Sequence, residues 1–248
     1  MSIQTEIPKV VAWLQQQVTD TKCQGLVVGI SGGIDSAVTA ALIKQACPQH
    51  CLGIIIPIKS NPQDARDGLV VAEHLAIPHY QMDLTDQHES ILQRSILELS
   101  KINDQAEEKM ANANLRARLR MSTIYTAANA LNYLVVGTDN KAELYTGYFT
   151  KYGDGGCDIL PLADFTKREV RELAIALGIP PHIIKKSPSA GLWEGQTDET
   201  EMGTTYQCID AFLKGESIPD KDKSRIEYLH NISHHKRLMP PIYTRSSH

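Results

Sequence analysis

No apolar run in this chain approaches the ~20 residues that a membrane-spanning helix needs, so a helical membrane protein is excluded. Positive charge is also scarce. The formal net charge is −4, which argues against broad electrostatic binding to nucleic acid while leaving room for a local basic groove. Cysteine is sparse and its pattern unpaired: Cys23, Cys47, Cys51, Cys157 and Cys208 form no Cys-x-x-Cys. Cys47 and Cys51 are spaced for a metal, yet no second pair completes a zinc set. Buried thiols in a reducing compartment are the expectation. The Met1–Lys9 segment carries Glu6 and Pro8 and lacks a signal peptide's apolar stretch. These absences together predict a cytoplasmic protein with neither membrane nor nucleic acid among its partners.

What is present fits an enzyme-sized core. The 248 residues are 42% apolar, enough for one large domain spanning 1–248. Short apolar runs alternate with helical periodicity. Gln24–Ile30, Cys51–Pro57, His79–Leu84 and Tyr133–Thr138 read as strands. Asp35–Ala46, Asp64–Ala76 and a long stretch from Asp86 to Asn132 read as helices. Thr166-Lys167-Arg168-Glu169 is a capping box opening a helix that stops at Gly178, with Pro180 and Pro181 beyond it. Ser187–Gly203 has Ser, Pro, Gly and acids without periodicity and reads as a lid loop. Alternation of this kind predicts an α/β fold: a doubly wound, mostly parallel five-stranded sheet with helices on both faces.

Chemistry enters at the first strand–helix turn. Gly29-Ile30-Ser31-Gly32-Gly33-Ile34-Asp35-Ser36 follows Leu-Val-Val and opens a helix. A glycine-rich turn there presents backbone N–H groups at the positive end of a helix, which suits a phosphate. Ser31 and Ser36 add hydroxyl donors. Asp35 would repel a bare phosphate but is well placed if Mg²⁺ lies between them. A Gly-Gly pair alone would suit an ordinary βα turn; the whole string is far more specific. The Walker pattern G-x-x-x-x-G-K-[ST] is absent, which points away from γ-phosphate hydrolysis.

The Ser31–Ser36 string resembles the loop of PP-loop ATP pyrophosphatases, of the adenine nucleotide alpha hydrolase-like fold, which adenylate a substrate and release pyrophosphate. Later segments narrow the likeness. Asn114-Leu115-Arg116-Ala117-Arg118-Leu119-Arg120, Gly137-Thr138-Asp139-Asn140-Lys141-Ala142-Glu143 and Phe149-Thr150-Lys151-Tyr152-Gly153-Asp154-Gly155-Gly156-Cys157-Asp158 are similar to motifs of ammonia-dependent NAD synthetases. Pro188-Ser189-Ala190-Gly191-Leu192, Asp198-Glu199-Thr200-Glu201 and His235-Lys236-Arg237 follow in the same order, so the resemblance runs from about Val10 to Arg237. One segment departs: Lys59-Ser60-Asn61-Pro62-Gln63-Asp64 stands where many members carry Gly-x-Gln-x-Asp-Glu.

The resemblance implies a ligase that forms a C–N bond, turning deamido-NAD into NAD with ATP and ammonia through an NAD-adenylate. It implies ATP contacts from Gly29–Ser36, Thr138, Lys167 and Ser189, and Mg²⁺ on Asp35 and Glu143. It puts deamido-NAD on Arg118, Lys151, Asp158, His235 and Lys236, with Lys167 and Asp158 as catalytic groups, Asp158 being the candidate to assist ammonium. A homodimer is implied as well. By residue pattern alone, Glu143 and Lys167 also suit a solvated helix start, and Arg116, Arg118 and Arg120 one basic stripe. Competing readings are a tRNA-modifying PP-loop adenylase and a nucleotide-binding regulator with no chemistry. The first would want a cysteine pair and a basic face. The second would not need Asp35 and Glu143 together.

Overall fold

In the computed structural model, residues 3–103, 108–189 and 197–245 are described. The chain runs α1 (Ile7–Thr21), β1 (Gly25–Gly29), α2 (Ile34–Ala46), β2 (Cys51–Ile55), α3 (Pro62–His74), β3 (His79–Gln81), α4 (Thr85–Ser100), α5 (Glu108–Leu131), β4 (Tyr133–Val135), α6 (Lys141–Thr146), α7 (Lys167–Ala176), α8 (Pro181–Lys185), α9 (Asp198–Met202), α10 (Tyr206–Leu213) and α11 (Asp220–Ile232). The sheet order is β3-β2-β1-β4, and every pairing is parallel. The order reverses between β1 and β4, and the open crevice beyond the strand ends at such a switch point is where α/β sheets take ligands.

The expected α/β architecture is present, with four strands rather than five among the described residues. What would be the fifth strand survives as one parallel bridge, Val136 to Ile159. Gly137 N–H donates to Ile159 O at 2.9 Å and Asp158 N–H to Val135 O at 2.9 Å. Pro161, two residues on, has no N–H and cannot extend the ladder. The long helical stretch read from Asp86 to Asn132 is in fact two helices, α4 and α5, with polar Lys101 and Asn103 closing the first.

Each face of the sheet buries its own apolar layer. Leu26, Val28 and Ile30 pack with Ala37, Leu42, Leu173 and Ile183 on the side of α1, α2, α7 and α8. Val27 and Val135 alternate to the other face, against Leu84 and Ala128. Alternate residues of β1 thus serve both layers, which explains its unbroken apolar sequence. A third, smaller cluster, Ala142, Met202, Tyr206, Ile209 and Ile226, joins α6 and α9–α11.

The divergent Lys59–Asp64 segment acquires a structural role. Asn61 accepts from the Gln63 N–H at 2.9 Å, and Pro62 fills the first helical position, so Asn-Pro starts α3 two residues earlier than periodicity predicts. In the expected lid, residues 190–196 lie outside the described residues. Its last part is not a loop but α9, capped by Thr197 and ended by left-handed Gly203.

Candidate active site

The turn between β1 and α2 is held by its own hydroxyls. Ser36 Oγ donates to Gly33 O at 3.0 Å and accepts from Ser31 N–H at 3.2 Å, while Ser31 Oγ accepts from Gly33 N–H at 3.3 Å. Gly32 has φ +80, and a Cβ there would meet the Asp64 backbone oxygen and Asp67. Only glycine allows this turn and its close approach to α3. Gly33, at the N-cap of α2, receives no side-chain cap, so the helix's first N–H groups remain available to an anion.

Beside the turn lies a charged constellation assembled from three distant segments. Lys167 Nζ is 2.6 Å from Asp35 Oδ2 and 3.2 Å from Glu143 Oε1, and its side chain is only 2% exposed. The capping box of α7 explains how lysine comes to be there: Thr166 fixes the helix start, and Lys167, its first residue, turns inward. A second capping box, on α6, does the same for Glu143: Asn140 N–H donates to Glu143 Oε2 at 3.1 Å, and Asn140 Nδ2 donates to Asp35 Oδ1 at 2.9 Å. Asn140 therefore ties both carboxylates to one frame. Burial draws the Lys167 ammonium down, but Asp35 and Glu143 outweigh it and hold the group above its ordinary value. Burial lifts the Glu143 carboxyl to about 6, against the opposing pull of Lys167.

Two tyrosines close the acidic side. The Tyr206 hydroxyl, at the start of α10, lies 2.8 Å from Glu143 Oε1 and 2.9 Å from Asp198 Oδ2, and Lys167 sits 4.6 Å above its ring. The Tyr148 hydroxyl bridges Asp198 and Glu201 of α9. A phenol has one proton, so Tyr206 satisfies one of its two carboxylates at a time. Burial raises Asp198 as well. Residue pattern alone left Tyr206 unremarked, since it reads as an ordinary core position of α10.

Asp35, Glu143, Tyr148, Lys167 and Asp198 line one cavity of about 1080 Å³ at the strand ends, at the upper end of the ~300–1,000 Å³ usual for a ligand pocket. Its walls include Gly29, Ser31, Asp35, Ser36, Thr138, Glu143, Lys167, Ser189 and Lys236. All but one of the expected phosphate-loop residues line it; Gly32, whose backbone packs on α3, does not. Asp139 and Asp154 also line it. Burial pushes the Asp139 carboxyl up, and its Oδ2 has no hydrogen-bond partner among the described residues.

The residues expected to hold the second substrate divide. Lys236 lines the cavity and donates to Gly147 O at 2.8 Å and Phe149 O at 2.6 Å. Arg118, Lys151 and His235 are not among the described lining residues, but they cluster outside it: Arg118 donates to Lys151 O at 3.4 Å, and Lys151 donates to His235 O. Asp158 is engaged elsewhere. Its carboxylate accepts from Val135 N–H at 2.8 Å, at the edge of β4, and from the Tyr125 hydroxyl at 2.9 Å. Of the arginine stripe, Arg116 bonds Asn112, and Arg120 is spent on Ile56 O and Ser60 Oγ at the end of β2. Burial, reinforced by Arg116, lowers Arg120 to about 10.

Comparison with known proteins bears on this geometry. The sequence model described as NAD synthase matches residues 6–240. An NH(3)-dependent NAD(+) synthetase of Alkaliphilus metalliredigens is 57% identical over 244 residues, 98% of this chain and 99% of that protein. Among solved structures, an NMN synthetase from Francisella tularensis is similar with a TM-score of 0.91 and 41% identity, covering 99% of this chain and 100% of that one. The NH3-dependent NAD synthetase of Campylobacter jejuni is similar with a TM-score of 0.79 and 28% identity, covering 98% and 100%.

Proposed function

From the premise that the chain belongs to the NAD synthase family, we propose that it amidates the nicotinate carboxylate of deamido-NAD with ammonia at the expense of ATP. The observation that carries this reading is the Asp35–Lys167–Glu143 constellation beside a phosphate-binding turn, inside a cavity roomy enough for more than one ligand. The relatives do not support an RNA-modifying adenylase. A regulator without chemistry would gain nothing from two partly buried carboxylates and a buried lysine.

In the first step a carboxylate oxygen of the substrate attacks the α-phosphorus of ATP, and the bond to the bridging oxygen of pyrophosphate breaks. In the second the ammonia lone pair attacks the acyl carbon, AMP leaves with the oxygen, and a proton is lost from nitrogen. The Ser31–Ser36 turn binds the phosphates through its N–H groups and hydroxyls. Thr138 and Ser189 add hydroxyls from the cavity wall, and Lys167 offsets charge on the leaving group.

Asp35 and Glu143 fit Mg²⁺. They offer hard oxygen donors on either side of the Lys167 ammonium, each with a second oxygen, and Mg²⁺ characteristically takes one or two carboxylates, completing its shell with phosphate and water. Bound there, the ion would neutralise phosphate charge. Asp35→Asn or Glu143→Gln should therefore lower turnover at least about tenfold, roughly 1.4 kcal/mol of barrier, with the far-ultraviolet dichroism unchanged. Near-normal turnover at limiting Mg²⁺ would remove that residue from the metal site. Arg118, Lys151 and His235, gathered outside the cavity, would then meet the far nucleotide of deamido-NAD at a homodimer interface, in a cytoplasmic enzyme.

A second reading is favoured by a specific observation. The similarity to an NMN synthetase is high, and three of the dinucleotide positions lie off the cavity wall. In that reading a nicotinate mononucleotide is the acyl donor. One assay tests both: ATP, Mg²⁺ and ammonium with either acyl donor, products separated by mass spectrometry. AMP and pyrophosphate should appear in step with the amide. The kcat/KM ratio of the two donors decides between dinucleotide and mononucleotide. ADP and orthophosphate as primary products would overturn adenylation altogether.

A further inference from the structure

Lys186 stands at the C-terminal end of α8, immediately before the segment that carries Ser189 into the cavity. Its ammonium is 2.8 Å from Asp64 Oδ1, 2.6 Å from Asp67 Oδ2 and 3.4 Å from the carbonyl oxygen of Gly32, the left-handed glycine of the phosphate turn. Both acids lie in the first two turns of α3. Asp67 is buried and also accepts from Gln63 Nε2 at 2.6 Å, with the His182 ring 4.0 Å away. Asp64 and Lys186 both line the cavity beside Ser31 and Gly33.

The charges here make a specific demand. Close packing of Gly32 on the Asp64 backbone and Asp67 brings α3, with two carboxylates, against the turn that must receive a polyphosphate. Two unmasked anions at this distance would oppose ATP through a medium that screens weakly. Lys186 is the cation that contacts both.

We propose that Lys186 is a positioning residue for ATP: it clamps Asp64 and Asp67, masks their charge from the phosphates, and fixes the Ser187–Ser189 segment against Gly32. The inference rests on the assignment of the cavity to ATP and adds a role to a residue outside the family motifs read above. It also gives Asp64, the last residue of the divergent segment, a function as one jaw of the clamp.

Titration calorimetry with ATP and Mg²⁺ on the full-length protein tests it. Binding by the unmodified protein checks the cavity assignment; its failure would remove that assignment before any variant is considered. Given that binding, Lys186→Met should weaken ATP about tenfold or more, and the deficit should shrink as salt rises, because repulsion is screened. Lys186→Arg, which keeps the charge, should retain most of the affinity. Adding Asp64→Asn to Lys186→Met should recover most of the loss. Asp64→Asn alone leaves the Lys186–Asp67 pair intact for folding and should bind ATP at least as tightly as the unmodified protein. Wild-type affinity in Lys186→Met, a double variant as weak as the single, or a tenfold loss in Asp64→Asn would each overturn the clamp.

Discussion

Replacing Lys167 with methionine should reduce turnover by at least about 100-fold, the scale seen when one preorganised charge-stabilising group is lost from an active site. It should also lower stability. Methionine nearly conserves volume, so the packing against the Tyr206 ring is largely kept and the change isolates the charge. What remains is two carboxylates, Asp35 and Glu143, whose side chains are 16% and 13% exposed and which face each other without the cation between them. Removing one member of a buried ionic cluster costs about 3–5 kcal/mol, which should appear as a clear drop in Tm in metal-free buffer. The two effects should separate on adding Mg²⁺. A divalent ion that settles between the carboxylates should restore part of the Tm, whereas turnover should stay low because the proposed contact of the lysine with the leaving group is not replaced. A variant that keeps wild-type turnover would take Lys167 out of the chemistry. An unchanged metal-free Tm would mean that the two acids find another partner.

Lys167 also shows what was legible in the sequence and why. The phosphate turn could be read directly, because its chemistry is packed into consecutive residues between an apolar strand and a helix, and both flanks follow from periodicity. Lys167 lies 132 positions from Asp35. Its local pattern, a capping box opening an amphipathic helix, is that of any helix start, and only the family resemblance pointed to the site. The same holds for Glu143, whose own capping box gives it a sufficient structural reason to exist.

Tyr206 and Lys186 carried no local signal at all, since their meaning lies in contacts between α3, α6, α8, α9 and α10 that no periodicity encodes. Asp158 carries two signals at once. It ends a substrate-like glycine string, and the structure also engages its carboxylate with the Val135 N–H at the edge of β4. The strand count failed where Pro161, with no N–H, cannot extend the ladder, and the long helix failed where Lys101 and Asn103 interrupt its apolar stripe.

Glutamine, freed of contaminating ammonia, should support almost no amide formation by this chain, while ammonium supports it fully. Amide nitrogen is released from glutamine by an activated nucleophile, generally a cysteine whose thiol is held low beside a base. Three of the five cysteines run the other way. Burial lifts the Cys157 thiol to about 12, and burial raises Cys47 and Cys51 too. A thiol so held is almost wholly protonated near neutrality and makes a poor nucleophile. The direct donor must then be neutral ammonia, since ammonium has no lone pair to offer the acyl carbon. At fixed total ammonium and subsaturating ammonia, the rate should rise with pH in proportion to the neutral fraction through the mildly alkaline range. The cavity wall adds a refinement. Asp139, which is buried, and Asp154, which is exposed, both line it, and Asp139 keeps one oxygen without a partner among the described residues. We propose that this acidic wall, rather than Asp158, receives the incoming ammonium and takes its proton. Asp158→Asn should then leave the KM for ammonium close to the wild-type value, while Asp154→Asn should raise it and steepen the pH dependence. Glutamine turnover equal to that of ammonium, with glutamate formed in step, would require a nucleophile that none of these thiols supplies. A raised ammonium KM in Asp158→Asn alone would return the role to Asp158.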